Sequence, residues 1–78
     1  MKLEDQVMTI VRDNTEEKEG ITLASDLRQD LRLDSFGTLM VINAIEDAYG
    51  IAVDETEFGP VRTVADMVTL LRSKYHCQ

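Results

Sequence analysis

The 78-residue sequence has one cysteine, Cys77, and one histidine, His76. A single thiol cannot close an internal disulfide, and no zinc-ligand spacing surrounds it, which excludes a disulfide scaffold and a structural zinc site. With only Lys74 and His76 as cationic neighbours, the thiol is read as part of an unstructured tail. No run of about 18 apolar residues occurs, so stable membrane insertion is excluded. Met1-Lys2-Leu3-Glu4-Asp5 turns acidic at once and lacks the basic start and apolar stretch of a secretory signal, so a cytoplasmic location is expected. Basic residues are scarce: 8 Lys and Arg stand against 15 Asp and Glu, for a net charge of −7. Such a chain repels nucleic-acid phosphates instead of gathering them. Its acidity suits partners with basic patches, and it also keeps a small protein soluble. There is no internal repeat, no low-complexity tract and no glycine-rich phosphate cradle.

What is present is enough for one small core. The hydrophobic fraction is 44%, and residues 1–78 are expected to form a single domain. Residues 3–17 read as an amphipathic helix, with Leu3, Val7, Ile10 and Val11 at spacings of three and four; Glu16-Glu17-Lys18-Glu19-Gly20 ends it. Residues 20–34 form a long connection anchored by Ile21, Leu23, Leu27, Leu31 and Leu33, with a turn opening at Ser25-Asp26-Leu27. Residues 35–49 read as a second helix, capped by Asp34 or Ser35, carrying Leu39, Ile42, Ile45 and Tyr49 on its apolar face and stopping at Gly50. Asp54–Phe58 predicts one short helical turn closed by Gly59-Pro60. Thr63 caps a last helix, with Asp66 three residues on, and Val64, Met67, Val68, Leu70 and Leu71 form its buried stripe.

The chemistry-bearing segment is Asp30-Leu31-Arg32-Leu33-Asp34-Ser35-Phe36-Gly37-Thr38. An aspartate–serine pair at a helix start is by itself an ordinary cap. Ser35 has no adjacent base to remove its proton, so it is not a catalytic nucleophile in its own right, and no catalytic or metal-ligating set is expected elsewhere. A hydroxyl at an exposed helix start is nevertheless well placed to be modified. Helix-end amides and the helix dipole favour a phosphate there.

In context, the segment resembles the attachment motif of the phosphopantetheine-binding acyl carrier family, Asp-Leu-x-x-Asp-Ser before an amphipathic helix. The likeness runs on through Ile45-Glu46-Asp47-Ala48-Tyr49-Gly50-Ile51 into Thr63-Val64-Ala65-Asp66-Met67-Val68 and covers roughly residues 3–73. It implies an all-α four-helix bundle: three main helices, one short helix and a long first loop. It also implies a 4'-phosphopantetheine arm, donated by coenzyme A and attached to Ser35 by a separate phosphopantetheinyl transferase, with Asp34 contacting Mg²⁺ in that complex. The implied role is that of a carrier, not an enzyme: cargo rides as a thioester and is delivered to ligases or synthases with basic docking patches. The implied docking residues are Asp30, Asp34, Glu46, Asp47, Asp54, Glu55 and Glu57, with apolar contacts from Phe36, Leu39 and Met40. Val41, Ile45, Val53, Phe58 and Val61 match the positions between which acyl chains slip in the family, and ordinary core is their alternative role. A monomer is the default for such a shuttle.

The chain departs from fatty-acid carriers at Arg32, Phe36, Gly37 and Met40, where Gly, Leu, Asp and Glu are usual, and its docking face is less acidic for it. Asp34-Ser35-Phe36-Gly37-Thr38 and Thr56-Glu57-Phe58 are similar to D-alanyl carrier proteins, so aminoacyl cargo stands beside lipid and polyketide-type cargo. An acidic helical interaction module without an arm is the reading from a different class.

Overall fold

The computed structural model describes residues 2–78. Those residues are all-helical, with α1 over Leu3–Asp13, α2 over Ser35–Tyr49, a 3₁₀ helix over Glu55–Phe58 and α3 over Val64–Lys74. The three main helices match expectation. The short fourth element is a single 3₁₀ turn and does not complete a fourth α-helix. Among the described residues the sole β-type pairing is an isolated bridge between Asp26 and Thr63.

Helix α1 buries Leu3, Val7 and Val11, a stripe at spacing four, and packs against both α2 and α3. It ends at Asp13, short of the expected residue 17. The Asn14 side chain donates to the Ile10 carbonyl at 2.8 Å, and the buried Thr15 hydroxyl donates to the Leu31 carbonyl at 2.6 Å. A buried carbonyl needs a donor, and Thr15, just past the helix end, supplies it. Glu16–Glu19 are then exposed loop, and Gly20 takes φ 72°.

The long connection is tightly built. Leu27, Leu31 and Leu33 are buried as expected, whereas Leu23 is exposed and Ile21 only half-buried. Asp26 organises the turn: its carboxylate accepts from the Arg28 and Gln29 amides, while its own amide donates to Asp30 Oδ2 at 2.8 Å. The loop is stitched to the start of α3 by Leu27 N–H to Arg62 O (2.8 Å) and Val64 N–H to Ser25 O (3.1 Å). The loop that leads to α2 is thereby tied to residues far from it in sequence.

Asp34 is the N-cap of α2 and Gly50, at φ 64°, its C-cap. Val41, Ile42 and Ile45 face the core, while Leu39, assigned to the apolar face by its spacing, is 38% exposed. In α3, Thr63 and Asp66 form a reciprocal capping box, and Val64, Met67, Val68 and Leu71 are buried. Val53 and Phe58 complete the core from the connector. Each such side chain contributes roughly 1.5–3 kcal/mol when fully buried, so their burial together is the main term holding a chain this small.

The C-terminus is not an unstructured tail. His76 adopts φ 57°, and the Tyr75 and Cys77 amides both donate to the Leu71 carbonyl. The chain therefore turns back and Cys77 enters the core at 6% exposed, where burial raises its thiol pKa. The Tyr75 hydroxyl donates to Glu57 Oε1 and accepts from the Asp54 amide at 3.0 Å, and Lys74 pairs with Glu57 at 3.1 Å. These contacts bolt the 3₁₀ helix to the end of α3.

Candidate functional site

Ser35 is the first residue of α2 and is exposed. Its position follows from the residue before it. Asp34 is extended, at φ −86° and ψ −172°, and its Oδ1 accepts from the Gly37 amide at 2.7 Å. The Thr38 amide closes on the Asp34 carbonyl at 2.9 Å. A capping carboxylate thus fixes where the helix begins, and the serine hydroxyl stands at the rim. Among the described residues, no basic or acidic side chain hydrogen-bonds that hydroxyl.

The backbone leading into the cap is strained at one point. Arg32 sits at φ 55°, in the left-handed region that favours glycine. The bend lets Leu33 return its amide to the Leu27 carbonyl at 2.9 Å and bury its side chain. Gly37 has a tight neighbourhood as well: a Cβ there would approach Leu33 Cδ2 at 3.0 Å. Any larger residue at that place must push Leu33 aside.

Beside Ser35 runs a groove of about 210 Å³ between α2 and the 3₁₀ helix. Leu39, Ile42 and Phe58 give it an apolar lining, Thr38 and Gly59 also line it, and Arg28 and Glu55 bring charge to it. It adjoins a second hollow of about 380 Å³ lined by Leu27, Phe58, Val61 and Arg62 among others. Of the five residues matched to an acyl pocket, only Phe58 lines the groove at Ser35, and Val61 joins it in the neighbouring hollow. Val41 and Ile45 are fully buried and Val53 nearly so, as packed core. Arg28, Thr38, Ile42 and Gly59 were missed by sequence reasoning. Only Ile42 had a signal, its helical spacing from Ile45; the others reach the groove through contacts between segments.

The acidic candidates divide by what their carboxylates hold. Asp30 closes the loop turn through the Asp26 amide. Glu46 Oε2 accepts from the Val53 amide at 2.8 Å. Glu57 is engaged by Tyr75 and Lys74, which hold its pKa below the usual value, the tyrosine hydrogen bond contributing most. Asp54 caps the 3₁₀ helix through the Thr56 hydroxyl and amide, which lower its pKa. Asp47 and Glu55 are exposed. Phe36 is 70% exposed, Leu39 38% and Met40 41%, an apolar face on the first turns of α2 next to Ser35. No acid other than the cap lies in that first turn. Among the described residues, no three His, Cys, Asp or Glu side chains gather to hold a metal ion, and no helix is long and apolar enough to cross a membrane.

Residues 5–71 match the family model described as "Phosphopantetheine attachment site". The chain is 30% identical to an acyl carrier protein of Coprothermobacter proteolyticus, across 96% of this chain and 93% of the relative. It is 31% identical to the acyl carrier protein of Rickettsia canadensis, across 94% of this chain and 86% of the relative. The acyl carrier protein of Rickettsia bellii is likewise 31% identical, with 90% and 83% covered.

Proposed function

The chain belongs to the phosphopantetheine attachment-site family, and from that premise we propose that it is an acyl carrier protein whose 4'-phosphopantetheine arm is joined to Ser35. The observation that carries the assignment is the cap: Asp34 binds the Gly37 amide at 2.7 Å and leaves the next residue's hydroxyl exposed at the start of α2. The site fits the group, since the serine opens onto a groove with an apolar lining and a cation. The arm supplies a terminal thiol on which cargo is held as a thioester. This chain supplies a rigid helix start and no acid–base chemistry, so loading and transfer fall to partner enzymes. A transferase would take Asp34 as a contact for its metal, a use compatible with capping because only one carboxylate oxygen is committed to Gly37.

Docking is proposed to use the exposed apolar face of Phe36, Leu39 and Met40, together with the exposed acids Asp47 and Glu55. Surface charges of this kind set association rate and partner choice more than affinity. Asp30, Glu46, Asp54 and Glu57 hold internal contacts as well, which fixes their carboxylates in place.

Lipid-type acyl cargo is the first reading, in keeping with the names of the relatives. Aminoacyl cargo is the second; the small groove and the charged residues that line it suit a short polar unit as well as an apolar one. Intact-mass analysis of the protein isolated from its own host, with the attached group identified by fragmentation, tests the reading. An arm on Ser35 bearing an acyl or aminoacyl group supports it. A chain that is always bare in a host with active transferase refutes it.

A further inference from the structure

We propose that the Arg28 guanidinium binds the phosphodiester joining the arm to Ser35, so that the arm leaves the serine along the groove between α2 and the 3₁₀ helix. The inference rests on the reading of Ser35 as the attachment residue. A phosphodiester there adds a negative charge beside Asp34 and Glu55 in a chain already at −7. Helix-start amides offset part of it: the Gly37 amide is taken by the Asp34 carboxylate and the Thr38 amide by the Asp34 carbonyl, which leaves those of Ser35 and Phe36. Those amides carry only partial charge, and a side-chain cation at the groove would add a full one.

Of the eight lysines and arginines, Arg32, Arg62, Arg72 and Lys74 are in ion pairs. Arg28 is in none among the described residues, and it is the one cation lining the groove that contains Ser35. Its backbone is held by the Asp26 carboxylate at 2.9 Å, which fixes the root of the side chain while the head stays exposed. A guanidinium presents paired N–H donors to two phosphate oxygens, a fit that an ammonium lacks.

The test compares bare and arm-loaded protein by NMR, with loading by coenzyme A and a phosphopantetheinyl transferase confirmed first by intact mass. The expected result is a shift of the Arg28 Nε–H resonance on loading and a phosphorus-31 resonance that moves between loaded wild type and loaded Arg28→Gln. Arg28→Lys keeps the charge without the fork and should recover only part of the phosphorus shift. Loading that leaves Nε–H unmoved, with the same phosphorus resonance in Arg28→Gln, overturns this proposal and leaves Ser35 in place. A wild-type chain that gains no arm overturns both. Arg28 is exposed and outside the core, so its variants are expected to fold as wild type does.

Discussion

Asp34 caps α2, and the metal contact proposed for it is a second task that substitution can separate from the first. As N-cap it accepts the Gly37 amide at 2.7 Å, and as a carboxylate it is available to a transferase-bound metal. Asp34→Ala removes both. Loss of a cap of this kind costs about 1 kcal/mol, and no other acid in the first turn of α2 substitutes for it. For a domain of this size that corresponds to a fall in Tm of roughly 4–8 °C. Asp34→Asn keeps an oxygen in the same place and ranks equally as a cap, losing only the charge–dipole part, about 0.3–1 kcal/mol. Loading behaves differently. Both variants lack the charge, so both should load at least roughly tenfold more slowly, a typical loss when a metal site is deprived of a partner. Thermal unfolding gives the first quantity, and the rate of mass gain with coenzyme A and transferase gives the second. Loading of Asp34→Asn at the wild-type rate would refute the metal role. An unchanged Tm in Asp34→Ala would refute the cap.

Other consequences follow from the same contacts. Arg32→Gly relieves a left-handed residue at a cost of about 1–2 kcal/mol, offset by the greater freedom of glycine when unfolded, about 0.4–1 kcal/mol; urea unfolding should show a gain of up to about 1.6 kcal/mol, and a clear loss would contradict the strain at φ 55°. Tyr75→Phe releases Glu57 and the Asp54 amide, so the 3₁₀ helix amides should exchange faster and Glu57 should titrate closer to its ordinary value of 4.5 by carbon-13 NMR. Asp26, Asp54, Glu57 and Asp66 all have depressed folded pKa values, caused mainly by hydrogen bonds to the carboxylates. The stability they contribute is therefore complete above the ordinary values of 3.8 and 4.5 and is lost as pH falls through the folded ones. A urea midpoint that stayed level across that acid range would contradict these contacts.

Where structure is set by neighbours in sequence, the sequence was a sufficient guide. The starts of α2 and α3 depend on Asp34 with Gly37 and on Thr63 with Asp66, each pair three residues apart, and both helices begin where their caps indicated. The attachment motif was legible for the same reason. The end of α1 was not, because it is decided by a hydrogen bond from Thr15 to Leu31 across 16 positions. Charge pattern alone carried the helix on through Glu16 and Glu17. Cys77 was read as tail because nothing nearby showed that His76 would turn left-handed and send the thiol into the core. The groove residues Arg28 and Gly59 come from two separate connectors, and no periodicity links them. That the docking candidate Glu57 also bonds Tyr75 was not legible, because the two lie 18 residues apart.

The exposed Ser35 hydroxyl behind the Asp34 cap is the proposed point of attachment of the prosthetic arm. Incubating purified protein with coenzyme A, Mg²⁺ and a broad-specificity phosphopantetheinyl transferase, then weighing it intact, tests that attachment directly. A single arm-sized mass gain is expected in wild type and none in Ser35→Ala. A wild-type chain that stays unmodified, or a Ser35→Ala chain that gains the arm, would contradict it.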